Sequence, residues 1–426
     1  MQTHLAPEFV GTPEGEAAEA ILRKCVHCGF CTATCPTYQL LGDELDGPRG
    51  RIYLMKQVLE GAEVTRATQQ HLDRCLTCRN CESTCPSGVQ YGRLVDIGRR
   101  LVESKVERPR GERVMRWLLK EGLTSPAFAP ALKLGQAVKP LLPASLQRKL
   151  PEKAPAGAHR WPTREHARKV LLLQGCVQPA MMPNINSATA RVLDAAGVQT
   201  LVADGAGCCG AIREHLNDHH GALADARRNI DAWWPLVEGL TAAGAVEAIV
   251  TNASGCGVAV KDYGHLLAAD PAYADKAARV SGLARDLSEL LPSLVAPLQR
   301  ALAAQRTRDE AEGFEPVPLA WHPPCTLQHG QKLRGGVETH LLALGFKLTA
   351  PCDSHLCCGS AGTYSVLMPE LSMQLRDRKL KALSAVEGEA IVSANIGCIQ
   401  HLQSGSERPV RHWVEALDDA LRPAQA

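Results

Sequence analysis

The residues of this chain that could do chemistry are its cysteines, 17 among 426 residues. Eight fall in two copies of one pattern, Cys25-x2-Cys28-x2-Cys31-x3-Cys35-Pro36 and Cys75-x2-Cys78-x2-Cys81-x3-Cys85-Pro86. Three cysteines at intervals of three let one loop curl around a cube of iron and sulfide and take three of its corners; the fourth, followed by proline, turns toward a second cube. Thiolate is soft and suits iron–sulfur chemistry. The spacing predicts two 4Fe–4S clusters with crossed ligands, Cys25, Cys28, Cys31 and Cys85 on the first and Cys75, Cys78, Cys81 and Cys35 on the second. Structural zinc normally collects two cysteine pairs across a longer loop. A thioredoxin-like pair would need a βαβ setting that this region lacks. Pro36 and Pro86 fix φ, offer no N–H, and end each loop. Clusters with crossed ligands must lie close together, which makes an electron wire rather than a substrate pocket.

Eight more cysteines form two sets in the C-terminal half: Cys176, Cys208, Cys209 and Cys256, then Cys325, Cys357, Cys358 and Cys398. In each set 31 residues separate the first cysteine from a Cys-Cys-Gly triplet. Each set ends on Ala-Ile-Val followed by Gly-Cys at the same offset, Ala248 to Cys256 and Ala390 to Cys398. This is an internal duplication. Neighbouring side chains diverge, so a Cys-Cys pair suits an irregular cluster or a vicinal redox pair better than a regular cube. Free cysteines also serve as small buried hydrophobes, but the repeated spacing favours chemistry, with one or two further iron–sulfur clusters. Cys352 is left over. Gly205-x-Gly207-x-x-Gly210 has the form of a dinucleotide fingerprint. It is rejected because the second copy, Ser354 to Gly359, keeps the thiols without the first two glycines. His322, His329 and His355 lie near the second set, where the first copy has Gln174 in the region of Pro323. They are expected to hydrogen-bond cluster sulfur or to pack, rather than to ligate.

The elements that must hold these residues divide the chain into four. Residues 1–105 read as an α-helical two-cluster ferredoxin-like domain, with helical patterns at Glu14 to Lys24 and Gly50 to Gly61 and a turn at Asp46-Gly47-Pro48. Residues 106–168 are a basic, Pro/Leu-rich connecting segment. From Arg93 to Lys169 the chain carries a local excess of eleven positive charges. The expectation is a connecting arm with a solvated basic face, or a surface for anionic lipid or an acidic partner. Within it Arg113 to Lys120 reads as a short helix with one apolar and one basic side. Residues 169–300 and 301–426 read as duplicated α/β Cys-Cys-Gly domains. In the first, strands at Val170–Leu173, Thr200–Ala203 and Ala248–Thr251 alternate with helical pattern at Asn186–Ala196 and Ala222–Leu240, the rhythm of a parallel sheet. The cysteines follow the strands, on loops where such sheets place their sites.

A net charge of +2 argues against a dedicated nucleic-acid binder, and 45% hydrophobic with 22% charged residues is a globular composition. The first residues show no secretory pattern, and no stretch reads as a transmembrane segment, since Val170 to Ala190 is interrupted by Gln, Asn and Pro. A reducing, cytoplasmic location is expected, with any membrane contact peripheral on the cytoplasmic face of the inner membrane.

Two ferredoxin-type runs followed by two Cys-Cys-Gly domains resemble the iron–sulfur subunits of glycolate oxidase (glycolate dehydrogenase). The wider group includes the small subunit of anaerobic glycerol-3-phosphate dehydrogenase, lactate-utilisation proteins and heterodisulfide reductase catalytic subunits. Asp46-Gly-Pro-Arg-Gly-Arg-Ile-Tyr53 is similar to the glycolate oxidase subgroup in particular. The resemblance implies an electron-transfer subunit of an oxidoreductase complex. A partner subunit carrying FAD would oxidise glycolate to glyoxylate, and this chain would pass the electrons toward a quinone-type acceptor at the membrane. In the heterodisulfide reductase relatives each Cys-Cys-Gly domain ends in Cys-x-x-Cys, where this chain has Ala253 before Cys256 and Asn395 before Cys398. Four cysteines per copy remain, enough for one cluster. The alternatives within the group are a catalytic thiol/disulfide reductase and the iron–sulfur subunit of a lactate or glycerol-3-phosphate dehydrogenase; outside it stands a metal-binding scaffold without catalysis.

Overall fold

The computed structural model describes residues 1–141, 157–306 and 317–422. The N-terminal unit is helical. Helix α1 (Pro13–Lys24) starts at Thr12, whose hydroxyl accepts from the Gly15 N–H, and carries Glu14 and Glu16 at its positive end and Arg23 and Lys24 at its negative end. Helices α2 (Pro48–Leu59), α3 (Arg66–Asp73) and α4 (Tyr91–Lys105) follow. Proline at the first helical position lets α2 begin earlier than its apolar periodicity shows. Leu22, Met55, Leu59, Leu72, Leu94 and Val95 meet in one core. A side chain at Gly98 would collide with Met55, so the close approach of α4 to α2 depends on this glycine.

Helices α5 (Arg110–Thr124) and α6 (Phe128–Ala137) form the described part of the connecting segment, and residues 142–156 lie outside the described residues. The solvated basic face expected here is present in part: Arg110, Arg113, Lys133, Arg160 and Arg164 are exposed, but three other cations turn inward. Arg108, just before α5, and Arg116 turn inward onto Asp73 at 2.6 and 3.1 Å, and Lys120 reaches Asp218 at 3.1 Å. The apolar side of α5 faces out instead, with Val114, Trp117 and Leu118 more than half exposed. The cations are drawn in because Asp73 is buried and needs partners.

The C-terminal half contains two four-stranded parallel sheets. The first comprises β1 (Arg168–Leu172), α7 (Pro183–Ala195), β2 (Val198–Leu201), α8 (His219–Val237), β3 (Ala248–Thr251), α9 (Ser254–Lys261), β4 (Ala284–Asp286) and α10 (Leu287–Arg306). The second comprises β5 (Leu319–Trp321), α11 (Gly336–Ala343), β6 (Leu348–Thr349), α12 (Pro369–Ser384), β7 (Ala390–Ser393), α13 (Ile396–Gln403), β8 (Val410–His412) and α14 (Trp413–Ala420). The strand orders are the same, β2-β1-β3-β4 and β6-β5-β7-β8. Strands β4 and β8 escape a reading by periodicity because each is three residues long with an arginine in the middle. Leu171 and Ile249 pack on one side of the first sheet with Trp233, whereas Val170, Leu172 and Val250 pack on the other with Leu319, Trp321 and Val392 of the second. Burial on both faces explains the uninterrupted Ala-Ile-Val runs.

The two copies are built into each other. Helix α10 closes the first copy and packs on α11 of the second, while α14 closes the second and packs on α7 of the first. Arg191 pairs with Asp418 at 2.8 Å and Asn184 with Glu415 at 2.7 Å across the latter contact. The boundary expected at residue 300 falls within α10, and residues 307–316 after it lie outside the described residues.

Burial by itself would raise the Asp73 carboxyl, but the Arg108 hydrogen bond and the charges of Arg116, Arg108 and Arg99 hold it below its ordinary 3.8. The stabilisation is therefore complete at neutral pH and is lost as pH falls from 3.8 toward the lowered folded value. Asp73→Ala, which strands two inward-facing guanidinium groups, is expected to destabilise the N-terminal unit by about 3–5 kcal/mol, read as a lower urea midpoint at pH 7.

Candidate metal centres

The two N-terminal cysteine runs curl in the same way. His27 and Gly29 adopt positive φ (57° and 86°), and so do their counterparts Thr77 and Arg79 (52° and 58°). A β-branched residue there is strained, and Arg99 holds Thr77 by donating to its Oγ1 at 2.9 Å. Each loop wraps a cavity. One, of about 430 Å³, is lined by Cys25, Cys28, Cys31 and Cys85. The other, of about 300 Å³, is lined by Cys35, Cys75, Cys78 and Cys81. Cys85 thus stands with the first run and Cys35 with the second, although each is closer in sequence to the other group. Cys81, Pro48 and Tyr91 line both cavities, so the two share a wall. Burial, then the neighbouring Cys25, pushes the Cys31 thiol up to about 11. Burial likewise pushes the Cys78 and Cys81 thiols of the second cavity up, and four soft sulfur donors in each cavity fit a cationic iron–sulfur group.

The second cavity is backed by buried polar groups. Tyr91 donates to Cys75 Sγ at 3.5 Å, as does the Thr77 N–H at 3.4 Å. The Asp46 to Tyr53 motif supplies the rest. Arg51 is fully buried and donates to the His71 carbonyl at 2.7 Å and to Thr37 Oγ1 at 3.1 Å, with Thr37 Oγ1 3.3 Å from Cys35 Sγ. Asp46 accepts from Arg74 at 2.8 Å and lies 3.0 Å from His71 Nδ1. Sequence reasoning quoted this motif without a role for Asp46 or Arg51. The available signal was an arginine on the apolar face of α2, in register with Met55 and Val58.

In the first Cys-Cys-Gly copy Cys176, Cys208, Cys209 and Cys256 come together at the carboxyl ends of the strands, where the strand order reverses between β1 and β3. Their thiols hydrogen-bond in a chain. Donation first from Cys176 and then from Cys209 pulls Cys208 well below the ordinary thiol range, and Cys176 is pushed up in exchange. Cys209 is pushed up by its bonds to Cys208 and Cys256 and by burial. The second copy repeats the chain through Cys325, Cys357, Cys358 and Cys398, with 3.8 Å between Cys325 and Cys357. The glycine of each triplet is required. Gly210 and Gly359 sit at φ of 88° and 90°, and their N–H groups donate to Cys208 and Cys357 Sγ at 3.4 Å each. Asn395, at the place of the absent fifth cysteine, donates to Cys398 Sγ at 3.7 Å, whereas the first copy has Ala253.

The second copy abuts the second N-terminal cavity. Leu76 and Cys78 pack with Cys325, Cys357 and Tyr364, and Asn80 donates to the His355 carbonyl at 3.1 Å. The three histidines separate. His329 is satisfied by Ser83 and the His355 carbonyl, at 3.0 and 2.9 Å, and His355 is partly exposed. His322 is fully buried with neither ring nitrogen bonded among the described residues. Its counterpart in the first copy is Leu173, which leaves Gln174 opposite Pro323: the His322 N–H donates to Val392 and the Leu173 N–H to Val250 at the same step. Cys352 is exposed.

A Cβ on Gly359 would meet the Ser372 carbonyl oxygen at 2.5 Å. Gly359→Ala should destabilise the protein by about 1–3 kcal/mol and deplete metal in the second copy. Gly111→Ala, on exposed helix with open space around it, should instead stabilise by about 0.5–1 kcal/mol. Thermal unfolding and metal analysis check both.

Comparison with known proteins agrees with this layout. The 4Fe-4S dicluster domain family matches residues 21–89, and the cysteine-rich domain family matches twice, at 170–261 and 319–403. The glycolate oxidase iron-sulfur subunit of Escherichia coli (strain K12) is 56% identical over 422 residues, 99% of each chain. The probable glycolate oxidase iron-sulfur subunit of Bacillus subtilis (strain 168) is 31% identical over 92% of this chain and 90% of its own. Lactate utilization protein A of Bacillus velezensis is 26% identical over 59% of this chain and 99% of its own. With the dicluster domain in front, the duplicated cysteine-rich domains behind and identity running the whole length, the chain belongs to the family of glycolate oxidase iron–sulfur subunits.

Proposed function

We propose that this chain relays electrons from a flavin-containing partner that oxidises glycolate to glyoxylate, and delivers them toward a quinone-type acceptor. In this reading Cys25, Cys28, Cys31 and Cys85 hold one 4Fe–4S cluster, and Cys75, Cys78, Cys81 and Cys35 hold the other. Each Cys-Cys-Gly set holds a further iron–sulfur centre. The observation that carries the reading is the crossing of Cys35 and Cys85 between two cavities with a common wall. When bound, the clusters supply one-electron carriage, which lets a two-electron oxidation be drained in single steps.

The residues themselves ligate, insulate and orient. Cys28 is exposed and flanked by Val26 and Phe30, 69% and 60% exposed, an apolar rim suited to a donor subunit. From there the first cavity, the second cavity and the second Cys-Cys-Gly set lie in series, because Cys81 and Tyr91 border both cavities and Cys78 touches the Cys325–Cys357 pair. Buried Arg51 and Arg99 place positive charge behind the second cavity and favour added negative charge there. Among the described residues no helix is long and apolar enough to cross a membrane. The outward strip of Val114, Trp117 and Leu118, with exposed Arg110 and Arg113 beside it, supports contact with an anionic membrane surface.

Two experiments test this. In anaerobically purified protein, Cys85→Ser should perturb the same electron paramagnetic resonance signal as Cys25→Ser, and not that of Cys75→Ser. Glycolate-driven acceptor reduction, seen only with the flavin partner present, should fall on the order of tenfold or more. Grouping of Cys85→Ser with Cys75→Ser would refute the crossed assignment. Replacing Trp117 and Leu118 by glutamate should abolish cosedimentation with phosphatidylserine-containing vesicles while leaving iron content unchanged; vesicle binding that persists would remove the membrane role of α5.

A further inference from the structure

The two Cys-Cys-Gly copies share strand order, thiol chain and glycine geometry, so a difference between them at the site stands out. Directly after β5 the second copy places His322; directly after β1 the first copy places Leu173. His322 is 0% exposed, and neither Nδ1 nor Nε2 has a hydrogen-bond partner among the described residues. Buried polar groups are almost always satisfied, and a ring with both nitrogens orphaned calls for a partner such as an ordered water or an ion. Here the missing partner has a direction. A ring nitrogen of His322 and the sulfurs of Cys358 and Cys398 all lie within 4.8 Å of one another, near enough to share one metal ion. The other two histidines of this region differ: both His329 nitrogens are bonded, and His355 is partly exposed to solvent. Leu173 in the first copy has no donor at all, so that copy is left with sulfur alone.

We infer that His322 is a nitrogen ligand to one metal ion of the second copy's centre, alongside Cys358 and Cys398. This rests on the reading that the second copy holds an iron–sulfur centre. The duplication then carries two chemically different centres, an all-sulfur one in the first copy and a mixed sulfur–nitrogen one in the second. His322 adds a neutral nitrogen donor to the four cysteines that both copies have, so the two centres differ in ligand set and therefore in reduction potential. The mixed centre is the one packed against Cys78 of the second N-terminal cavity, where it is placed to exchange electrons with that cavity.

The test uses the full chain, purified anaerobically with 15N-labelled histidine and examined by pulsed electron paramagnetic resonance. Wild type should show a histidine nitrogen coupled to a paramagnetic centre, and His329→Leu should retain it. His322→Leu, which installs the side chain of the first copy, should lose the coupling and shift the midpoint potential of that centre. Where His322→Leu does not fold, His322→Cys should keep the iron and still lose the nitrogen coupling. Coupling that survives both substitutions, or that is absent from wild type while the iron is present, overturns the ligand role. Cys357→Ser separates this from the underlying reading. If it removes iron, the centre exists and only the histidine is in question; unchanged iron, or zinc in place of iron, overturns the centre itself.

Discussion

Thiols gathered in a low-dielectric interior resist becoming thiolates, because burial and each other's charge both raise their pKa values. This holds for Cys31 in the first cavity, and for Cys209, Cys325, Cys357 and Cys358 in the duplicated half. Such side chains can be held together as thiolates only if cations sit among them, so in the proposed ligation metal binding and the native arrangement are linked. Much else in the molecule follows. Left-handed residues recur at matching places in both N-terminal runs because only that curl turns three sulfurs to one point. The glycines of the two triplets serve the same end, giving an N–H to a sulfur where a side chain would collide with Ala222 or Ser372.

The N-terminal unit is joined differently to the two copies. The first copy meets it through charge: Arg100 with Glu214 at 2.9 Å, Arg213 beside Glu214 with Glu121 of α5, also at 2.9 Å, and Asn217 with Glu103 at 3.1 Å. The second meets it through packing around Leu76 and Tyr364 next to cysteines, together with hydrogen bonds from Asn80 to the His355 carbonyl and between Ser83 and His329. Close packing brings sulfur donors of the two units together, which suits electron passage, whereas the ion pairs of the first contact fix orientation. The duplication has therefore kept the fold and divided the labour.

Much of this was legible in the sequence. The cysteine runs, the repeat and the position of its thiols after strands stood out because a metal loop needs fixed spacing and a parallel strand needs a continuous apolar run. Strand Ala248–Thr251 has the bounds its residues predict, and α1 differs by one residue. Three things were not legible, each for a physical reason. The inward turn of Arg108 and Arg116 depends on Asp73, a partner distant in sequence, so local composition points the wrong way. The left-handed Thr77 is imposed by the cluster loop against its own preference. The exceptional status of His322 among three neighbouring histidines appears only when burial and the bonds of the others are known.

In the proposed ligation, the crossing of Cys35 and Cys85 constrains how the N-terminal unit can assemble. Cys35 closes a cavity whose other sulfurs lie forty or more residues later, and Cys85 closes one whose other sulfurs lie fifty or more residues earlier. Neither loop can complete its donor set before both loops and α2, which carries Pro48 into the common wall, are in place. Loading of the two cavities is thus linked through shared backbone. Because Cys78 also packs on Cys325 and Cys357, the linkage extends into the second copy. A partly loaded chain would leave buried thiols protonated and the wall at Cys81 and Tyr91 unsupported from one side. The geometry that places the cavities in series thus favours, in the proposed ligation, a chain in which they are filled together.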